Sequence, residues 1–266
     1  MTVGTRLDKG SAGREQAVAA LAQFGLLVAL WASVGLREAG WIAGTAYGAA
    51  VWAVLAGALR RSGVTALGPA DRVTLGRAVL VGGVTALAVV GAAHGPVFTL
   101  VASVALVLDA VDGKVARRTG TCSRLGARFD MEVDAFLIMV LSVQLAMVQG
   151  PWVLAIGAMR YAFVAASWVL PWLNAPLPPS FARKTVAACQ GIALVAACSG
   201  ILPGAAAAGV AALALGALVW SFGRDIAWLW RTRPVAAPGG GHEALPAPVA
   251  PVAPVASGAG QSSWRG

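Results

Sequence analysis

Residues 106–136 read LVLDAVDGKVARRTGTCSRLGARFDMEVDAF. The stretch holds Asp109, Asp112, Asp130, Glu132 and Asp134, five of the eleven acidic residues in a 266-residue chain. Apolar runs lie on both sides of it, so it reads as two helix ends joined by the short RTGTCSR connection.

The surrounding composition decides the class. The chain is 58% hydrophobic and only 12% charged, with a mean hydropathy of +0.76. A soluble domain of this size needs more polar residues to cover its surface, which points to an integral membrane protein. Residues 17–36, 41–59, 78–93, 96–111, 135–149, 152–173, 186–202 and 205–222 are each nearly free of charge. With their flanks they reach the roughly 20 residues that a helix needs to cross a bilayer core of ~30 Å. The runs are continuously apolar, not alternating, which argues against membrane strands. Eight transmembrane helices are predicted.

A net charge of +9 raises the question of nucleic acid, and the positions of the basic residues answer it. They gather in alternate connections: Arg6, Lys9 and Arg14 before the first helix, then Arg60, Arg61, Arg72 and Arg77. Lys114, Arg117, Arg118, Arg124 and Arg128 follow, then Arg183 and Lys184, then Arg224, Arg231 and Arg233. This is the positive-inside pattern, with both termini and the acidic stretch cytoplasmic, in a bacterial-type plasma membrane. The basic charge suits anionic lipid headgroups, and no nucleic-acid partner is expected. Residues 17–36 are read as a retained helix, because a second apolar run follows at once without a convincing cleavage site. Cys122, Cys189 and Cys198 have no metal-like spacing and are read as buried thiols; His94 and His242 are isolated.

The predicted fold is therefore all-α, a polytopic membrane helical bundle. Residues 1–16 form a polar lead, 17–61 a transmembrane hairpin, 68–230 a six-helix body, and 231–266 a Pro/Ala/Gly-rich tail too poor in apolar side chains to bury a core.

Helical spacing organises the acidic stretch. Asp109 and Asp112 share a face, and Gly113, Ala116 and Arg117 continue it; Gly126, Asp130 and Asp134 form a second stripe at i, i+4 and i+8. Antiparallel neighbours would bring four carboxylates into one small volume, where their repulsion calls for cations between them. Hard oxygen ligands without His or Cys select Mg²⁺, Mn²⁺ or Ca²⁺, and four carboxylates suit a pair of ions. Gly113 and Gly126 leave a notch beside them, and Arg117 and Arg128 are placed to meet phosphate oxygens. Together these features suggest a diphosphate substrate.

The run Asp109-x-x-Asp112-Gly113-x-x-Ala116-Arg117, eight residues, then Gly126-x-x-x-Asp130-x-x-x-Asp134 resembles the signature of the CDP-alcohol phosphatidyltransferases without a departure. The resemblance covers about residues 68–230, the six-helix core of that family, and leaves the hairpin outside it. It implies that Asp109, Asp112 and Asp130, helped by Asp134, hold two Mg²⁺ or Mn²⁺ ions. It implies that Asp134 is the general base, and that the phosphatidyl group of CDP-diacylglycerol passes to a small alcohol with release of CMP. Gly113, Ala116, Arg117 and Gly126 correspond to the CDP side. Upstream, GPADRVTLGRA resembles the family's nucleotide-contacting lead, with Thr74 and Arg77 as expected and Asp71 where many members have Asn. Family members are often dimers, so a homodimer is expected.

Three further cations are acceptor candidates. Arg160 lies near the middle of a span, where a charge costs at least about 2.5–3.5 kcal/mol and normally faces the bundle interior; contact with the acceptor or the aspartate cluster is the favoured reading, and pairing with an acidic residue is its plainer role. Arg183 and Lys184 are read as contacts to an acceptor's phosphate or as a basic pair at the membrane surface. Glycerol 3-phosphate and inositol phosphate lead as acceptors, with serine or a second lipid open. Two alternatives stand beside this reading: a CDP-linked small alcohol transferred to diacylglycerol, and a cation or proton transporter with intramembrane carboxylates.

Overall fold

The computed structural model describes residues 11–62, 67–91, 95–119 and 124–233, leaving out the side chains of Ser11, Asp112, residues 114–119 and Arg124. Cys122, His94, His242 and the predicted lead and tail, apart from residues 11–16 and 231–233, fall outside the described residues.

Eight α-helices follow one another: α1 (Ser11–Val34), α2 (Glu38–Ser62), α3 (Pro69–Val89), α4 (Pro96–Thr119), α5 (Arg124–Gln149), α6 (Leu154–Val169), α7 (Phe181–Cys198) and α8 (Gly204–Thr232). Seven are long and apolar enough to cross a membrane, and the chain is an integral membrane protein. The exception is α4, whose apolar part ends at Val111. At 1.5 Å per residue, Pro96–Val111 spans about 24 Å, less than a full hydrocarbon core. Its remaining turns carry Asp112, Lys114, Arg117 and Arg118.

Much of the outer surface confirms the membrane environment. Leu21, Phe24, Val54, Met147, Trp168, Phe181 and Ile201 are exposed large apolar side chains spread over five helices and the α7–α8 connection. Water would penalise such a surface, whereas lipid tails accept it. The interior is filled by Leu27, Leu87, Phe98, Leu137, Leu141, Leu145 and Leu194, all essentially inaccessible.

Two helix boundaries differ from the reading of apolar runs. The run at 78–93 belongs to a helix that starts at Pro69. Proline suits a first helical position, and the Asp71 carboxylate accepts the Gly68 N–H at 2.9 Å, so the polar lead is itself helical. The run at 152–173 is interrupted, with 3₁₀ turns at Pro151–Val153 and Pro171–Asn174 flanking α6. Gly35 (φ 67°) and Gly150 (φ 100°) end α1 and α5 in the left-handed region that glycine alone adopts without strain. Of the thiols, Cys198 is buried as expected, but Cys189 is exposed. It lies on the outer face of α7, where lipid, not protein, accommodates an apolar thiol.

Helix α3 is the centre of the bundle, packing against α1, α2, α4 and α5. Small residues let the hairpin approach it. Gly40, Gly44 and Gly48 recur every fourth residue along one buried face of α2. A Cβ on Gly44 would stand 2.6 Å from Leu27 Cδ2 and 3.2 Å from Ala86 Cβ. The α5–α6 contact is less forgiving, because a Cβ on Gly157 would lie 2.8 Å from the Met139 Cα. Backbone cannot yield as a side-chain tip can. Gly157→Ala is therefore expected to destabilise by about 1–3 kcal/mol, read as a lower thermal midpoint of the purified protein.

Candidate active site

The site forms where α3, α4 and α5 meet. Arg77 lies on the third turn of α3, and its side chain is fully buried. Packing α3 against both α4 and α5 aims the guanidinium between the two acidic stripes. One terminal nitrogen donates to Asp109 Oδ1 on α4 and the other to Asp130 Oδ1 on α5. The second nitrogen also donates to the Asp130 backbone carbonyl at 2.9 Å. A planar fork can serve two carboxylates at once, which an ammonium group cannot do with the same geometry.

The predicted convergence of α4 and α5 is thus present for these two aspartates. Their side chains are 42% and 35% exposed, so a ligand can reach the carboxylates although the arginine behind them is sealed off. Asp134 lies one turn further along α5, half-buried, within electrostatic reach of Asp109, Asp130, Arg77 and Arg160. Three carboxylates therefore share one neighbourhood with the buried Arg77 guanidinium. Gly126 is buried one turn before Asp130 and Gly113 is half-buried on α4, on the stripes expected of them. The side chains of Asp112, Ala116 and Arg117 lie outside the described residues.

Whether these residues suit a metal ion can be judged from the donors. Asp109 and Asp130 already address one positive charge from opposite sides, and carboxylate oxygens without nitrogen or sulfur are the donors that hard divalent ions take. Among the described residues no group of three or more His, Cys, Asp or Glu side chains stands close enough to hold an ion. The fourth aspartate, Asp112, is not in that set. The donor chemistry fits a divalent ion.

The upstream nucleotide candidates Asp71 and Thr74 have hydrogen-bond partners at the start of α3. Asp71 caps α3 through Gly68, and the Thr74 hydroxyl, buried, donates to the Ala70 carbonyl at 3.3 Å. Both stand on the first turns of α3, ahead of Arg77.

The three acceptor candidates have acidic or surface surroundings. Arg160 donates to Glu132 Oε1 at 2.6 Å, the plainer of the two roles read for it. Glu132 lies off the aspartate stripe, which frees it for α6. Its side chain is 61% exposed, so a double-mutant cycle of Arg160→Gln and Glu132→Gln is expected to give a coupling of about 1 kcal/mol or less in thermal unfolding. Arg183 donates to Asp225 Oδ2 at 3.1 Å and to the Pro178 carbonyl at 2.9 Å, while Lys184 is exposed. Arg224 joins the same group, donating to Ser180 Oγ at 3.0 Å and to Asp225. The reading of motifs counts Arg224 only among the cytoplasmic basic residues and passes over Asp225, because an adjacent Arg-Asp pair at the end of an apolar run matches no motif.

Residues 68–221 match the CDP-alcohol phosphatidyltransferase family. The match covers more than half of the 266 residues and contains every aspartate of the site, so the chain belongs to that family. No curated protein and no solved structure matches the chain.

Proposed function

We propose that this member of the CDP-alcohol phosphatidyltransferase family moves the phosphatidyl group of CDP-diacylglycerol onto a small phosphorylated alcohol and releases CMP. The observation that carries this reading is the meeting of Asp109 and Asp130 on Arg77, with Asp134 one turn away. Transfer of a substituted phosphate from a CDP-alcohol is the family's class of reaction. The donor, the acceptor and the residue roles are our inference.

Asp134 takes the proton of the acceptor hydroxyl. The freed oxygen attacks the phosphorus that bears diacylglycerol, and the bond from that phosphorus to the CMP oxygen breaks as the new bond forms. Asp109, Asp112, Asp130 and Asp134 would hold two Mg²⁺ or Mn²⁺ ions, which when bound neutralise the diphosphate and the charge developing on CMP. Arg77 keeps Asp109 and Asp130 at a fixed separation, so the carboxylates meet the diphosphate already oriented. Gly113 and Gly126, with Ala116, leave space for the cytidine end, and Arg117 supplies a donor to its phosphate.

On the acceptor side, Lys184 is the exposed cation of the group and Arg183 stands beside it with Asp225 partly offsetting its charge. An anionic acceptor suits that surface, with glycerol 3-phosphate and inositol phosphate as leading candidates. The site is read as cytoplasmic from the distribution of Lys and Arg. A homodimer is part of the same proposal.

The test is lipid mass spectrometry after incubating the protein in liposomes with CDP-diacylglycerol, Mg²⁺ and each alcohol in turn. A phosphatidyl ester of a phosphorylated alcohol is expected. A product formed only from diacylglycerol and a CDP-linked small alcohol would reverse the direction of transfer and overturn this reading.

A further inference from the structure

One carboxylate joins the start of α7 to the end of α8. The Asp225 side chain on α8 is only 14% exposed, and its two oxygens take one arginine each. Oδ2 accepts from Arg183 Nη1 of α7 at 3.1 Å, and Oδ1 accepts from Arg224 Nη2 of α8 at 3.2 Å. The arginines stand further out, at 35% and 36% exposure, so the carboxylate lies beneath them. Arg224 and Asp225 both follow residue 221, where the family match ends.

Helix geometry alone would not bring the two guanidinium groups together. Neighbouring residues point about 100° apart on a helix, so Arg224 reaches Asp225 only by laying its stem across α8. Further contacts hold it there. Its Nη2 also donates to Ser180 Oγ at 3.0 Å, and the centre of the Trp220 ring lies 5.0 Å from its Cζ. Arg183 is held as firmly, since its Nη2 donates to the Pro178 carbonyl at 2.9 Å. Like charges brought this close repel each other, and the carboxylate between them offsets that repulsion. The donors are not used up. Among the described residues, Arg183 Nε and Arg224 Nε and Nη1 have no protein partner, and none of the three is a buried nitrogen. With Lys184 exposed beside Arg183, the patch remains positive.

Resting on the phosphorylated-acceptor reading above, we propose that Asp225 is a positioning residue for the acceptor. It fixes Arg183 and Arg224 as one preformed guanidinium face, and the acceptor's phosphate takes the donors that Asp225 leaves over. Ordering two long side chains before the ligand arrives lowers the entropy cost of binding. The carboxylate touches no reacting atom, so it acts on acceptor affinity and not on the chemical step.

The experiment uses the purified full-length chain in nanodiscs with CDP-diacylglycerol and glycerol 3-phosphate or inositol phosphate, whichever is turned over. Asp225→Asn keeps the shape and one acceptor oxygen. It is expected to raise KM for the phosphorylated alcohol about tenfold, while kcat and KM for CDP-diacylglycerol change by no more than about twofold. Asp225→Glu restores the charge and is expected to recover most of the affinity. A carboxylate that only staples α7 to α8 would lower the thermal midpoint and move all three parameters together, which would overturn the proposal. Tighter acceptor binding by Asp225→Asn would overturn it too, because the carboxylate would then be a competitor of the phosphate. Should Asp225→Asn not survive purification, Asp225→Glu carries the same test: a shift confined to KM for the alcohol supports the role, and a uniform shift refutes it. If wild-type protein forms no phosphatidyl ester, the proposed reaction itself fails, and Asp225 is read from the binding of inorganic phosphate by calorimetry. Weaker binding to Asp225→Asn than to wild type then supports the positioning role; equal binding, or none to wild type, refutes it.

Discussion

Asp134→Asn is expected to lower CMP release by at least about a hundredfold, the usual contribution of a positioned general base. The substitution keeps size and shape and removes only the ability to accept a proton. Among the described residues Asp134 forms no ion pair and stands outside the Arg77 bridge, so the fold has little reason to change. The thermal midpoint should stay within a few degrees of wild type while turnover disappears. A variant that keeps more than a tenth of the rate would remove Asp134 from the reaction.

The second large effect belongs to Arg77, and here stability and activity fall together. Arg77→Ala deletes a fully buried guanidinium and leaves Asp109 and Asp130 facing each other without compensation. Breaking a buried pair by removing one partner typically costs 3–5 kcal/mol; the partial exposure of both aspartates brings the expectation down to about 2–3 kcal/mol. Arg77→Lys should recover part of the stability and little of the turnover, because one ammonium cannot bridge two carboxylates as a planar fork does. Chemical denaturation in mixed micelles measures the first quantity and CMP release the second.

These effects bear on how far the sequence alone reaches. The carboxylate stripes are legible because helical periodicity places i and i+4 on one face, and Asp130 with Asp134 follows that rule whatever the tertiary context. The partnership of Arg77 is not legible in this way, since its acceptors lie 32 and 53 residues away in the chain. Only the packing of α3 between α4 and α5 reveals that a residue expected to contact nucleotide also bridges the aspartates. Arg160 reads first as a contact to the acceptor or the aspartates; the plainer alternative, an acidic partner, is what the packing of α6 on α5 shows, in Glu132.

The fold follows a similar division. Apolar runs locate the helices, while prolines at 151 and 171 break one run into a helix flanked by 3₁₀ turns, a boundary that hydropathy does not register. The hairpin's docking leaves a signal in Gly40, Gly44 and Gly48, whose four-residue repeat marks a close helix contact. That Tyr47, one position before the last of them, buries its hydroxyl and packs its ring against Phe136 has no counterpart in spacing or composition.

The central claim is that carboxylates from two antiparallel helices form one site for a CDP-linked lipid. Its most direct test is the stoichiometry of products formed by the purified full-length chain from CDP-diacylglycerol, Mg²⁺ and a mixture of small alcohols. The expected result is one CMP for each new phosphatidyl ester. Intact CDP-diacylglycerol after prolonged incubation, or CMP accompanied by free phosphatidic acid and no alcohol ester, would contradict it.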